Sequence, residues 1–138
     1  MHTYVLQDWI TIRGAGAAGP PYIGPGATIV QDQDDWLDLS PYQDIFFWVD
    51  CREVTTGAGN VSITFETSPT VDDSLFQAIM SSTNLSASAT PTLIKAPMLS
   101  ATVPIARYVR WRLTSSNGAA STWDATFRVV VAANSPGM

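Results

Sequence analysis

Any chemistry this chain performs has to come from few groups. Gly14-Ala15-Gly16-Ala17-Ala18-Gly19 matches G-x-G-x-x-G, a spacing whose glycines let backbone amides approach pyrophosphate at a helix N-terminus. Here Pro20-Pro21 follows at once, and neither a helical period nor a βαβ unit surrounds the match. It reads as a loop or arm, not as a nucleotide cradle. Asp32, Asp34, Asp35 and Asp38 offer the oxygen ligands that calcium takes. The glycine and terminal glutamate of an EF-hand loop are missing, so the cluster reads as a solvated turn. Asp72-Asp73 likewise reads as a turn after Pro69. His2 is the sole histidine, near the start of the chain, where an imidazole is poorly placed to serve a nucleophile. Cys51 is the sole cysteine and shares a strand face with Ile45, Phe47 and Val49, which predicts burial rather than reactivity. Twelve acidic residues are present, but nothing singles out a pair for glycoside hydrolysis. We expect a non-enzymatic protein without metal or other cofactor.

Arginines and aromatics suggest binding instead. Arg13, Arg52, Arg107, Arg110, Arg112 and Arg128 accompany a single lysine, Lys95. Arg110, Arg112 and Arg128 hold the polar phase of their strands, and would form a ladder on one outer face if those strands pair. Planar guanidiniums suit carboxylate partners and interfaces, while Glu66, Asp50 and Asp124 offer ion pairs within the same sheet. On the strand Ile45–Val54, Phe46 and Trp48 oppose the face carrying Ile45, Phe47, Val49 and Cys51. Only one face can enter a core, so Phe46 and Trp48 lie under a loop, at a subunit interface or in a ligand groove. Trp9, Trp36 and Tyr22 have the ring faces that stack on sugars.

The elements that position these groups follow from two-residue alternation. Trp123, Ala125, Phe127, Val129 and Val131 alternate with Asp124, Thr126, Arg128 and Val130; Val61, Ile63 and Phe65 alternate with Ser62, Thr64 and Glu66. Such runs bury one face of an antiparallel sheet and wet the other. Nine strands are predicted: 4–13, 27–31, 36–39, 45–54, 61–68, 76–81, 92–95, 107–114 and 123–133. Val49, Cys51, Ile63, Phe65, Val109, Trp111, Phe127 and Val129 should form the core. Gly14–Gly26 is irregular. Ser82–Ser100 reads as a long connection, containing a short strand, that can cross between sheets, whereas Gly57–Asn60 should close a hairpin. Asn134–Met138 reads as a loose tail. The fold class is all-β, a jelly-roll-like antiparallel β-sandwich of about eight to nine strands in one domain over 1–138.

With 138 residues the chain can build a core without disulfides. Charged residues make up 14%, few enough to suggest that neighbouring subunits cover part of the surface. A net charge of −5 disfavours nucleic acid. No apolar run approaches the ~20 residues of a membrane helix. Met1-His2-Thr3-Tyr4 carries no charged leader or apolar core, so no signal peptide and synthesis in the host cytoplasm are expected.

Trp36-Leu37-Asp38-Leu39-Ser40-Pro41-Tyr42, Ile63-Thr64-Phe65-Glu66-Thr67-Ser68-Pro69 and Arg107-Tyr108-Val109-Arg110-Trp111-Arg112-Leu113 occur in that order. Together, over about Gln31 to Val131, they resemble the discoidin-like (galactose-binding-like) jelly-roll structural proteins of tailed bacteriophages and related particles. The resemblance implies a jelly roll and a virion component, with no ligand residues to transfer. The expected role is a capsid decoration or stabilising protein, a homo-oligomer and foremost a trimer, docked on a major capsid or other particle protein. Phe46, Trp48, Tyr22, Ile23, Arg110, Arg112 and Arg128 are the candidate contacts. Tyr22 and Ile23 belong to an arm that can order on a neighbour. The alternative is a carbohydrate-binding module, possibly borne on a virion.

Overall fold

Alternation this regular can close only as paired sheets, and the computed structural model shows two. It describes residues 2–15, 28–42, 44–56, 60–88, 90–97, 105–115 and 122–135. Strands β1 (His2–Ala15), β4 (Asp44–Thr56), β8 (Thr92–Pro97) and β10 (Thr122–Asn134) form one sheet in the order β1-β10-β4-β8. The other sheet holds β2 (Thr28–Val30), β9 (Tyr108–Ser115), β5 (Val61–Ser68) and β6 (Gln77–Ala78) in that order. Short β3 (Leu37–Asp38) pairs with β9, and β7 (Thr83–Asn84) pairs with β5. Every pairing is antiparallel. Apart from strands, the described residues hold two 3-10 turns, Gln33–Asp35 and Asp73–Leu75, capped by the carboxylates of Asp32 and Asp72. Among the described residues no helix is long and apolar enough to cross a membrane.

The inner rows meet between the sheets. All eight core residues expected from alternation are buried, joined by Ile45, Phe47, Leu113, Ala125 and Val131. Phe47 stacks on Phe65 across the sandwich at 3.8 Å and 8°, and Trp111 meets Phe127 edge-on at 5.3 Å and 85°. Such ring pairs add to the area they bury by fixing how the sheets sit on each other.

A buried amide ties the sheets where aromatic packing ends. Gln31, 1% exposed, donates to the carbonyls of Leu6 in the first sheet and of Asp35. Its side-chain oxygen accepts from the Trp111 amide, while the Trp111 indole donates to Gln7 at 3.0 Å. The register of β1 against β10 shifts between Val5 and Gln7 and again before Ile10. The first bulge leaves Leu6 without a register partner, its carbonyl free for Gln31, and brings Gln7 into phase with inward-facing Val129.

Three expectations need correction. β4 and β5 belong to different sheets and do not pair, so they form no hairpin, and residues 57–59 between them lie outside the described residues. Ser82–Ser100 holds two strands, one in each sheet, and thereby makes the crossing expected of it. β9 and β10 do not pair, so Arg110 and Arg112 project from one outer face and Arg128 from the other. The arginine ladder does not form.

Candidate docking face

Strand parity places Phe46 and Trp48 on the outer side of the first sheet, because Ile45, Phe47 and Val49 point into the core. Pairing extends this pair into a row. Val5 faces Val130, Val130 faces Trp48, and Trp48 faces Leu93, so one apolar rung crosses all four strands. Val5, Trp48 and Leu93 are 57%, 36% and 44% exposed. On the next rung Ala132 faces Phe46, whose ring lies 6.3 Å from the Trp48 indole. Scattered exposed apolar residues are ordinary on protein surfaces; a contiguous row across a sheet is a candidate interaction surface.

Cations flank the rung on its other side. Asp50, almost fully buried, accepts from Arg52 at 2.7 Å and from Arg128 at 3.2 Å. Both guanidiniums remain roughly half exposed, so N–H groups are left for an outside acceptor. The Arg128 guanidinium also lies over the Trp9 ring at 5.0 Å. Arg52 keeps the parity of Trp48 and Asp50 and lies on this side, at the β4 bulge opposite Thr126 and Phe127.

The opposite outer face uses its arginines internally. Arg110 is buried, bonds Glu66 at 3.0 Å and also Asp73, and lies 3.8 Å from the Phe76 ring centre and 5.2 Å from Trp36. Arg112 shares the second Glu66 oxygen at 3.2 Å. Arg110 is thus a clamp that holds both 3-10 turns to the second sheet and has no surface left for a partner. Arg112 is about a third exposed and lies far from the Trp48 rung by topology. Tyr22 and Ile23 lie outside the described residues. Of the rings able to stack on sugars, Trp36 is packed edge-on to Phe76, Trp9 carries Arg128 on its ring, and Tyr22 is outside the described residues.

At the β1 edge, Val5, Asp8, Asp34, Asp35, Trp36 and Leu37 line an open groove of about 410 Å³. Sequence reading took Val5 and Leu93 for ordinary strand residues and missed this groove; only the pairing register reveals them.

Nothing in the described residues assembles a catalytic centre. The His2 ring lies 5.3 Å from that of Tyr42, and burial pushes the Cys51 thiol up, away from the reactive thiolate. Among the described residues no cluster of His, Cys, Asp or Glu is arranged to hold a metal ion. Asp32 and Asp38 bond their own turns instead, to Asp34 and Ser40.

One carboxylate gives a pH signature. Hydrogen bonds from Ser40 first, then the Arg107 guanidinium at 2.9 Å, hold Asp38 below the usual carboxylate range. A depressed folded-state value contributes stability that is complete above the unfolded value and fades as pH falls through the folded one. Asp38→Asn is therefore expected to flatten the loss of stability between about pH 5 and pH 2 while leaving its slope near neutrality unchanged. Urea midpoints measured across that range check this; an unaltered acid limb would contradict it.

No protein-family profile matches the chain, and no curated protein matches it in sequence. Among solved structures, the chain is similar to one of infectious bursal disease virus, Gx strain, with a TM-score of 0.55 and 17% identity over 99% of this chain. It is also similar to the VP2 subviral particle of the same virus, with a TM-score of 0.52 and 14% identity over 99% of this chain. In each case it spans 32% of the other chain's length. At these identities the likeness establishes the fold: an antiparallel, jelly-roll-like β-sandwich.

Proposed function

We propose that this chain is a non-enzymatic structural component of a phage or virus-like particle, a decoration or stabilising protein that docks on the shell as a homo-oligomer, foremost a trimer. The observation that carries this reading is the Val5–Val130–Trp48–Leu93 rung, an apolar row held outward on a sheet whose other face already fills the core. A likeness in fold to chains of a viral particle supports the same direction. Repetition on a lattice multiplies weak single contacts through effective concentration, so a small face of this kind suffices when many copies are present. Phe46, Trp48 and Arg128 are the contacts this reading assigns to the docking face, with Arg52 added beside them.

Replacing Trp48 and Phe46 together with serine is expected to weaken assembly by roughly thirtyfold or more, since buried aromatic anchors dominate such interfaces. The fold should persist because both side chains lie outside the core. Sedimentation velocity and circular dichroism on the double variant check the two halves. An oligomer unchanged by the double substitution would contradict the assignment of this face.

A further inference from the structure

We propose that the copies meet head to tail: the Trp48–Leu93 side of one copy seats in the β1-edge groove of the next. This rests on the self-assembly reading above and names its partner surface. The two patches lie at opposite edges of one sheet, because β8 and β1 end the order β1-β10-β4-β8. Their chemistry is complementary. The first offers an indole, Leu93 and the half-exposed guanidinium of Arg52, which shares β4 with Trp48. The second offers Val5, Trp36 and three exposed carboxylates, Asp8, Asp34 and Asp35. Among the described residues none of those carboxylates makes an ion pair, whereas Asp38, Asp50, Glu66 and Asp73 all do.

A guanidinium with spare donors on the Trp48 side and unpaired carboxylates at the β1 edge suit a second copy better than a sugar, which brings no charge to match. Charge also argues against a face-to-face pair. A two-fold pairing of the Trp48 face with itself offers Arg52 none of the unpaired carboxylates and leaves Asp8, Asp34 and Asp35 unmet. Complementary patches on opposite edges form a heterologous contact, which closes into a ring when the rotation between copies allows it.

The test mixes two variants whose substituted side chains are all exposed. Trp48→Ser spoils the first patch and keeps the groove; Asp34→Arg with Asp35→Arg spoils the groove and keeps the first patch. Each variant alone is expected to sediment as a monomer under conditions where the wild type assembles. Mixed in equal amounts they should form dimers that grow no further, since each pair retains one good contact. A groove variant that assembles like the wild type, or a mixture that stays monomeric, overturns the head-to-tail contact while leaving self-assembly standing. A monomeric wild type overturns both. Circular dichroism identifies a variant that fails to fold; Arg52→Glu, with and without Asp34→Arg, then replaces it. Loss of assembly in the single variant and recovery in the pair support the contact, and no recovery overturns it.

Discussion

Replacing Arg110 with alanine is expected to destabilise the protein by about 3–5 kcal/mol, because it strands a carboxylate in a buried position. Arg110 and Glu66 are 6% and 4% exposed at their side chains and bond at 3.0 Å. Without the guanidinium, Glu66 keeps only Arg112, which is partly exposed and lies at 3.2 Å. The Phe76 and Trp36 rings lose the cation packed against them, and Asp73 loses its tether. Trp36 lines the β1-edge groove, so the same change loosens a wall of the proposed contact. Urea unfolding of Arg110→Ala, with Arg112→Ala as comparison, measures this. The comparison should lose less, because the Arg112 side chain is about a third exposed where Arg110 is buried. A loss below ~1 kcal/mol for Arg110→Ala would mean that solvent replaces the guanidinium without penalty.

Phe127→Ala is expected to lose a similar amount, about 3–5 kcal/mol, by a different route. Phe127 is fully buried, faces Cys51 and Ile10 across its two neighbouring strands, and presents its ring to the Trp111 edge. Truncation removes a ring from water-free packing and leaves a cavity between two sheets that cannot easily close, since each is fixed by its own hydrogen bonds. Denaturant titration of the single variant gives the loss. A change below ~1 kcal/mol would place Phe127 outside the core. Assembly of Phe127→Ala should survive at temperatures where it stays folded, because neighbouring Arg128, not Phe127, reaches the outer face.

Parity made the inner rows readable. Val61 to Phe65 and Trp123 to Val131 alternate cleanly, so core membership followed without knowing any pairing. The same parity put Phe46 and Trp48 on the far side of their strand. Pairing was not readable, because loop length does not say which sheet a strand joins. That is why the arginine ladder and the Gly57–Asn60 hairpin failed. β1 hid its part of the outward apolar row: Tyr4-Val5-Leu6-Gln7 has no alternation to follow, since two bulges reset the strand's phase. In β8, adjacent Leu93 and Ile94 are both apolar, and only the register shows that Ile94 goes inward and Leu93 outward. Gln31 was invisible for the opposite reason. A polar residue near a strand end reads as exposed, yet its amide is satisfied by backbone groups of both sheets.

The central claim is that an outward apolar rung exists to be covered by another copy on a larger assembly. Native mass measurement of the wild-type protein, followed by imaging of any particle that co-purifies, tests it most directly. The account predicts an integral multiple of the chain mass, foremost three, together with retention on a shell-like particle. A single-chain mass at tens of micromolar, with no particle holding the protein through purification, would contradict it.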